Sequence, residues 1–450
     1  MLGEPDSLSR LTELMRFEAE PATPTGPPPV DPAIRRRRRR RRLTIGLIVA
    51  VVIVAVTGGY TAYALTAPIG NATLDAHAPD VVIPAAAQIS LPVDGAYAIS
   101  ISGADDYLGA AASGIWQSSG DNSPRPMASI SKLITALVIL NAKPLADTTD
   151  AGPTITFSRA DHALYDKYYV LNATIAEMPT GSSMSERDAL ETMLIVSASN
   201  YAEAVSTWAY GSQSAFLRAT KDWLAANGLT GTTMVEPTGL DPRNVSAPTD
   251  LIALGKIAMA NPVIAEIVGM KTLEVPNVPS RHSTNELLGV NGVTGIKTGT
   301  LEASGSNLLF SATLDVGAEQ PLSVIGVILG GFTDESVNLD VTALLKSIRA
   351  GFHSVVLGTR GQEIGTYSTA WGESAVIELG ANATALTWSD APVTVSFETE
   401  SLTTGSDGDV VGSVTWTVGS STETVPLVLD GTIEPPSTWW RLTHPFELGE

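Results

Sequence analysis

Three short groups of hydroxyl, amide and ammonium side chains stand in order along this chain: Ser129-Ile130-Ser131-Lys132, Ser197-Ala198-Ser199-Asn200, and Lys297-Thr298-Gly299 with Thr300 after it. On a helix, Ser129 and Lys132 are i,i+3 neighbours and share one face. Lys132 is followed by Leu-Ile-Thr-Ala-Leu-Val-Ile-Leu, an apolar wall that would strip water from its amine. Desolvation favours the neutral amine, and a neutral amine can take the proton of Ser129, so the pair is a nucleophile with its own base. The second group closes the apolar stretch Met193 to Val196, and the third precedes the strand-like run Leu308 to Leu314. A glycine such as Gly299 beside a strand edge lets another backbone approach closely. Singly, each group has an ordinary reading. Ser129 would be a cap beside a solvated lysine, Ser199 or Asn200 the N-cap of a helix around Tyr201 to Trp208, and Lys297-Thr298-Gly299 a turn. Their order and spacing together favour catalysis.

Other chemistries find no residues. The five histidines, His77, His162, His282, His353 and His444, are scattered without an HExxH pair, and there is no cysteine. Thiolate nucleophiles, disulfides and cysteine-bound zinc are therefore excluded. GxSxG, P-loop and GxGxxG patterns are also missing, so the sequence implies no metal and no cofactor.

The elements that must hold these groups begin beyond a charged leader. Residues 1–42 carry ten of the 27 basic residues, eight of them in the unbroken run Arg35 to Arg42. The rest of the chain holds 17 basic against 41 acidic groups. Such a body repels phosphate backbones, so no nucleic acid is expected as a partner. Leu43 to Leu65 contains no charged residue and is long enough, at about 1.5 Å per residue, for a hydrocarbon core of about 30 Å. The arginines predict a cytoplasmic N-terminus with everything after Leu65 exported. A cleaved signal peptide competes with this single-pass anchor, because Ala62-Tyr63-Ala64 is a small-x-small site.

We expect five regions: a disordered leader over 1–42, a membrane span over 43–65, an Ala/Pro-rich linker over 66–88, a catalytic α+β domain over 89–352, and a small all-β domain over 353–450. Within the leader, Ser7 to Glu20 has a leucine stripe for a short frayed helix, and Pro21 to Pro32 favours extended backbone. In the catalytic region, Ala96 to Ser102, Leu308 to Leu314 and Leu322 to Leu329 read as strands. Ser129 to Asn141 and Ser185 to Val196 read as helices, the latter opened by the capping pattern Ser185-x-x-Asp188. Strands at both ends with helices between them point to α+β rather than regular βαβ units. Beyond His353, alternating runs at Glu363–Ser368, Ser374–Leu379, Val393–Glu398, Val410–Val418 and Glu423–Leu429 predict the β domain. Trp439 and Trp440 are expected to anchor its core.

With these motifs in place, residues 90–352 resemble the serine D-alanyl-D-alanine carboxypeptidases, low-mass penicillin-binding proteins of the β-lactamase-like fold. The resemblance extends to Met127-Ala128, to Pro237-Thr238-Gly239-Leu240-Asp241, and to Val293-Thr294-Gly295-Ile296. It implies an acyl-enzyme on Ser129 with Lys132 as base. Ser197 would relay a proton to the leaving amine, Lys297 would supply positive charge, and Thr298 would hold the substrate carboxylate. The backbone N–H groups of Ser129 and Thr300 would form the oxyanion hole. It further implies peptidoglycan pentapeptide stems as substrates, β-lactams as covalent inhibitors, and a bacterial cell-membrane location. The middle motif departs from the family's Ser-x-Asn: either Ser199 replaces the substrate-binding amide, or Asn200 reaches in from one place later. Two other readings are a β-lactamase with Glu236 as deacylating base, and a non-catalytic or weakly active penicillin-recognising wall-binding protein.

Overall fold

The computed structural model describes residues 31–448, so the expected Ser7–Glu20 helix and the proline-rich stretch up to residue 30 lie outside the described residues. Residues 31–71, 369–372 and 434–448 form one compact unit, and 72–368 with 373–433 form another.

In the first unit, helix α1 runs from Pro32 to Thr66. It therefore starts well before Leu43 and takes in the whole arginine run, which was expected in the disordered leader. Asp31 caps it by accepting from the Ala33 N–H at 2.9 Å, and Pro32 stands at its first position. Arginine is a good helix former, and each residue added to an existing helix gains a backbone bond. Among the described residues, the other helix of this unit is the short Thr438–Thr443 segment near the C-terminus. Trp439 and Trp440 lie on it and not in the β core, where Trp416 is the fully buried tryptophan.

The second unit is built on a five-stranded antiparallel sheet. Its strands are β1 (Ala96–Ser102), β2 (Gln117–Ser118), β3 (Val293–Leu301), β4 (Gly305–Leu314) and β5 (Leu322–Gly331), in the order β3-β4-β5-β1-β2. Successive side chains of a strand point to opposite faces. Ile99, Ile101, Val324 and Ile328 accordingly pack with Val337, Val341, Leu344 and Ile348 of the helix Asp334–Ala350. Ala98, Leu309, Ile325 and Val327 face the larger core shared with the central helices. With both faces covered, the β1 positions Ala96 to Ile101 are all buried.

Helix α2 (Ser131–Ala142) runs through that larger core, and every residue from Ser131 to Leu140 is buried. Full burial of each leucine or isoleucine there contributes about 1.5–3 kcal/mol, which fixes the helix under the sheet. The helix Glu186–Ile195 opens with the expected reciprocal cap between Ser185 and Asp188.

A second, six-stranded antiparallel sheet combines Thr73–Ala76, Glu363–Ser368, Ser374–Leu379, Ser421–Asp430, Val410–Val418 and Val393–Thr399, in that order. Thr73–Ala76 falls inside the stretch read as a linker. It pairs as an edge strand with Gly365 to Ser368. Phe352–Gly358 and Ala383–Trp388 make a separate two-stranded ribbon that the alternation did not reveal.

Candidate active site

Ser129 sits in a single 3-10 turn, Ala128–Ile130, that runs into α2. This turn brings its hydroxyl to 2.9 Å from Lys132 Nζ. Ala128, just before it, has φ +49, and the Met127 N–H donates to the Asn244 carbonyl at 3.0 Å. Lys132 is 0% exposed. Burial lowers its amine from 10.5 to about 7, against a smaller upward pull from the Glu236 carboxylate.

The second donor contact of Lys132 is to the Thr238 carbonyl at 2.8 Å. That carbonyl is placed by a loop wound around Glu236. The Glu236 carboxylate accepts from the Thr238 N–H at 2.7 Å, the Thr238 hydroxyl at 2.6 Å, and the Gly239 N–H. Buried Asn244 ties the loop back: its Nδ2 donates to Glu236 Oε1 at 3.0 Å and to Ser131 Oγ at 3.1 Å. Thr135 of α2 adds a bond to the Pro237 carbonyl at 2.8 Å.

Ser197 lies between the helix ending at Ile195 and α3 (Ser199–Tyr210), with φ +63. That left-handed bend costs a non-glycine residue roughly 1–2 kcal/mol. It is pinned by the Ser199 N–H on the Thr174 carbonyl at 2.8 Å and by the Thr284 N–H on the Ile195 carbonyl at 3.1 Å. Lys297, Thr298, Gly299 and Thr300 lie on β3. A Cβ on Gly299 would stand 2.9 Å from the Ser129 amide nitrogen, so only glycine lets this strand run so close to the nucleophile turn.

Ser129, Ser197, Thr298, Gly299 and Thr300 line one cleft of about 280 Å³. Lys297 stands behind it, 1% exposed, with Nζ donating to the Thr298 carbonyl at 3.1 Å. Burial and then the Lys132 charge hold its amine well below the usual lysine range. An arriving carboxylate would favour its charged form.

Among residues that sequence reasoning missed, Thr174, Thr284, Glu286, Asn307, Asp334 and Asn338 also line the cleft. Thr300 Oγ1 donates to Asp334 at 2.8 Å, and Thr298 Oγ1 to Thr284 at 2.7 Å. Asn307 is opposite Gly299 in the β3–β4 register, so a hairpin register would have found it. Thr174 and Asp334 come from loops and helix starts with no such signal.

A family model for D-alanyl-D-alanine carboxypeptidases matches residues 109–333. The chain belongs to this family. Relatives of the family include a D-alanyl-D-alanine endopeptidase of Pseudomonas aeruginosa, 27% identical over 237 residues that make up 50% of this chain and 70% of the relative. The D-alanyl-D-alanine carboxypeptidase DacC of Escherichia coli is 29% identical over 211 residues, 46% of this chain and 51% of the relative. This chain thus spans between half and about 70% of these two proteins. Penicillin-binding protein 6B of Escherichia coli shares the fold at a TM-score of 0.52 and 19% identity, over 78% of this chain and all of that one. Penicillin-binding protein 5 of Haemophilus influenzae does so at 0.50 and 20%, over 77% of this chain and 98% of that one.

Neither Ser199 nor Asn200 is among the residues that line the cleft. Asn200 is fully buried, and its amide is spent on the Ala176 backbone, accepting from N at 3.1 Å and donating to O at 2.8 Å. Asn200→Ala is expected to lower stability by about 1–3 kcal/mol, the cost of orphaned buried groups, and to leave turnover nearly intact. Ser199→Asn, which would speed a site lacking only an amide, should instead overpack a 1%-exposed position and cost about 1–3 kcal/mol. Denaturant unfolding beside initial rates checks both; a collapse of turnover in folded Asn200→Ala would place that amide in the site.

Proposed function

We propose that this protein is a membrane-anchored serine D-alanyl-D-alanine carboxypeptidase that trims peptidoglycan pentapeptide stems and is acylated by β-lactams. The observation that carries this reading is a buried lysine amine, lowered to about 7, at 2.9 Å from the Ser129 hydroxyl in an open cleft. Neutral Lys132 takes the Ser129 proton as Oγ attacks the carbonyl carbon of the penultimate D-alanine. The backbone N–H groups of Ser129 and Thr300 hold the oxyanion. Thr298, with Lys297 behind it, holds the terminal carboxylate. Ser197 passes a proton to the leaving amine as the C–N bond breaks. Water then hydrolyses the Ser129 ester and restores the enzyme.

Glu236 argues against the β-lactamase reading. Its carboxylate is committed to loop hydrogen bonds, and Glu236 lines the neighbouring cavity with Lys167, Tyr168 and Glu203 rather than the Ser129 cleft. The non-catalytic reading draws on the absence of a Ser199 or Asn200 side chain from the cleft. For topology, the arginine run favours a cytoplasmic start for α1, with the residues after it exported.

Full-length protein in detergent, given a pentapeptide stem ending in D-Ala-D-Ala, should release one D-alanine per peptide, and Ser129→Ala should release none. Penicillin should leave one adduct on the peptide bearing Ser129. An adduct without D-alanine release would leave only the recognition role. Cleavage of cross-linked dimers in preference to the pentapeptide would mark an endopeptidase.

A further inference from the structure

The charged side chains that line the Ser129 cleft are both acidic, Glu286 and Asp334, and no lysine, arginine or histidine is among the described residues that line it. Asp334 is exposed and stands at the first position of the helix Asp334–Ala350, behind its cap Thr333. A helix N-terminus stabilises a carboxylate there without a counterion. Its Oδ1 accepts from the Thr300 hydroxyl at 2.8 Å, which leaves Oδ2 without a hydrogen bond among the described residues. Glu286 belongs one helical turn further on, where Asn338 Nδ2 donates to its Oε2 at 3.3 Å.

Strand β3 sets the direction of a bound peptide. With the scissile carbonyl at the Thr300 N–H and the terminal carboxylate at Thr298, the peptide runs antiparallel to β3. Each residue before the scissile bond then falls further towards Leu301, by about 3.3 Å per residue. The residue that precedes D-Ala-D-Ala thus passes the Thr300 side, where the carboxylate of Asp334 is. Glu286 stands instead at the Thr298 end, two residues from Thr284, whose hydroxyl accepts from Thr298 at 2.7 Å. The steps agree in size: Thr298 to Thr300 is about 7 Å of strand, and Asp334 to Asn338 is about 6 Å of helix.

We propose that Asp334 selects substrates in which the residue before D-Ala-D-Ala carries a free ammonium group, as on a lysine-type side chain. This rests on the carboxypeptidase reading and on the places it gives Thr298 and Thr300. An exposed pair of opposite charges favours the charged peptide by about two- to fivefold in kcat/KM, and salt screens it. A stem whose side-chain amine is already acylated in a cross-link is then the poorer substrate, so the enzyme acts on strands before they are joined.

The test follows D-alanine release by the full-length protein in detergent from Nα-acetyl-L-lysyl-D-alanyl-D-alanine and from its Nε-acetylated counterpart. The charged peptide should be faster by about two- to fivefold in kcat/KM. That ratio should fall towards one in about 1 M salt, where the screening length is about 3 Å. Asp334→Asn keeps an oxygen for Thr300 but no charge, and should bring the ratio to one, whereas Asp334→Glu should keep it above one. Glu286→Gln should move both peptides together. Equal rates on the two peptides in the unaltered protein, or a ratio that survives either high salt or Asp334→Asn, would overturn the selection and leave the carboxypeptidase standing. Release from neither peptide would overturn the carboxypeptidase reading and this proposal with it.

Discussion

Lys132→Ala is expected to slow acylation of Ser129 by about 10²–10⁴-fold, the usual worth of a positioned general base. The amine is held at about 7 by burial, so the proton on Lys132 governs the rate in the ordinary working range. Below 7 the amine is charged; it then donates to Ser129 Oγ and cannot accept its proton. The acylation rate should therefore fall by about tenfold per pH unit below 7 and level off above it. Lys132→Arg separates charge from basicity, because a guanidinium stays protonated at any working pH. It should be as slow as the alanine variant, with no rising limb. Stopped-flow labelling with fluorescent penicillin across pH measures all three proteins, and near-UV circular dichroism checks that each is folded. Wild-type rates in Lys132→Arg would remove Lys132 from the role of base.

The Ser129/Lys132 pair was legible because it is local: four residues on one helical turn, followed by an apolar run whose burial could be read from composition. The Ser185 cap and the strands Leu308–Leu314 and Leu322–Leu329 were legible for the same reason. What sequence alone did not yield depended on long-range pairing. Asn200 sits one place from the family's asparagine, and only its bonds to Ala176, 24 positions away in the chain, show that its amide is already spent. Thr73–Ala76 lies in an Ala/Pro-rich stretch with no alternation, and becomes a strand because the edge at Gly365 to Ser368 offers it partners. Trp439 and Trp440 were assigned to a β core on bulk alone. Trp440 instead packs against the end of α1, where the bond from Tyr60 to Leu442 links residues 382 positions apart. Glu236 was noticed only as the candidate deacylating base of a β-lactamase. Its role is to fold a loop over Lys132, and that is a property of the neighbouring donors from Thr238, Gly239 and Asn244 rather than of the carboxylate.

That loop gives the second large effect. Gly239 has φ +84, and a Cβ on it would lie 1.9 Å from the Ala128 carbonyl oxygen and 2.9 Å from Ser131 Oγ. In Gly239→Ala the loop must retreat by on the order of 1 Å, and a misplacement of that size can cost about 10²-fold in rate. The retreat draws the Thr238 carbonyl away from Lys132 Nζ, now 2.8 Å apart, and presses on the turn that carries Ser129. Acylation should therefore drop by about 10²-fold, with a stability loss beyond the roughly 1–2 kcal/mol of a left-handed alanine. Gly181→Ala is the control for that backbone cost: Gly181 has φ +82 and no atom within 4 Å of the added carbon. It should lose only the conformational part of the stability and none of the rate. Thermal unfolding and penicillin labelling on the two variants side by side make the comparison. If folded Gly239→Ala acylates as fast as Gly181→Ala, the Glu236 loop is scaffolding for the fold, and Lys132 keeps its position through burial in α2 alone.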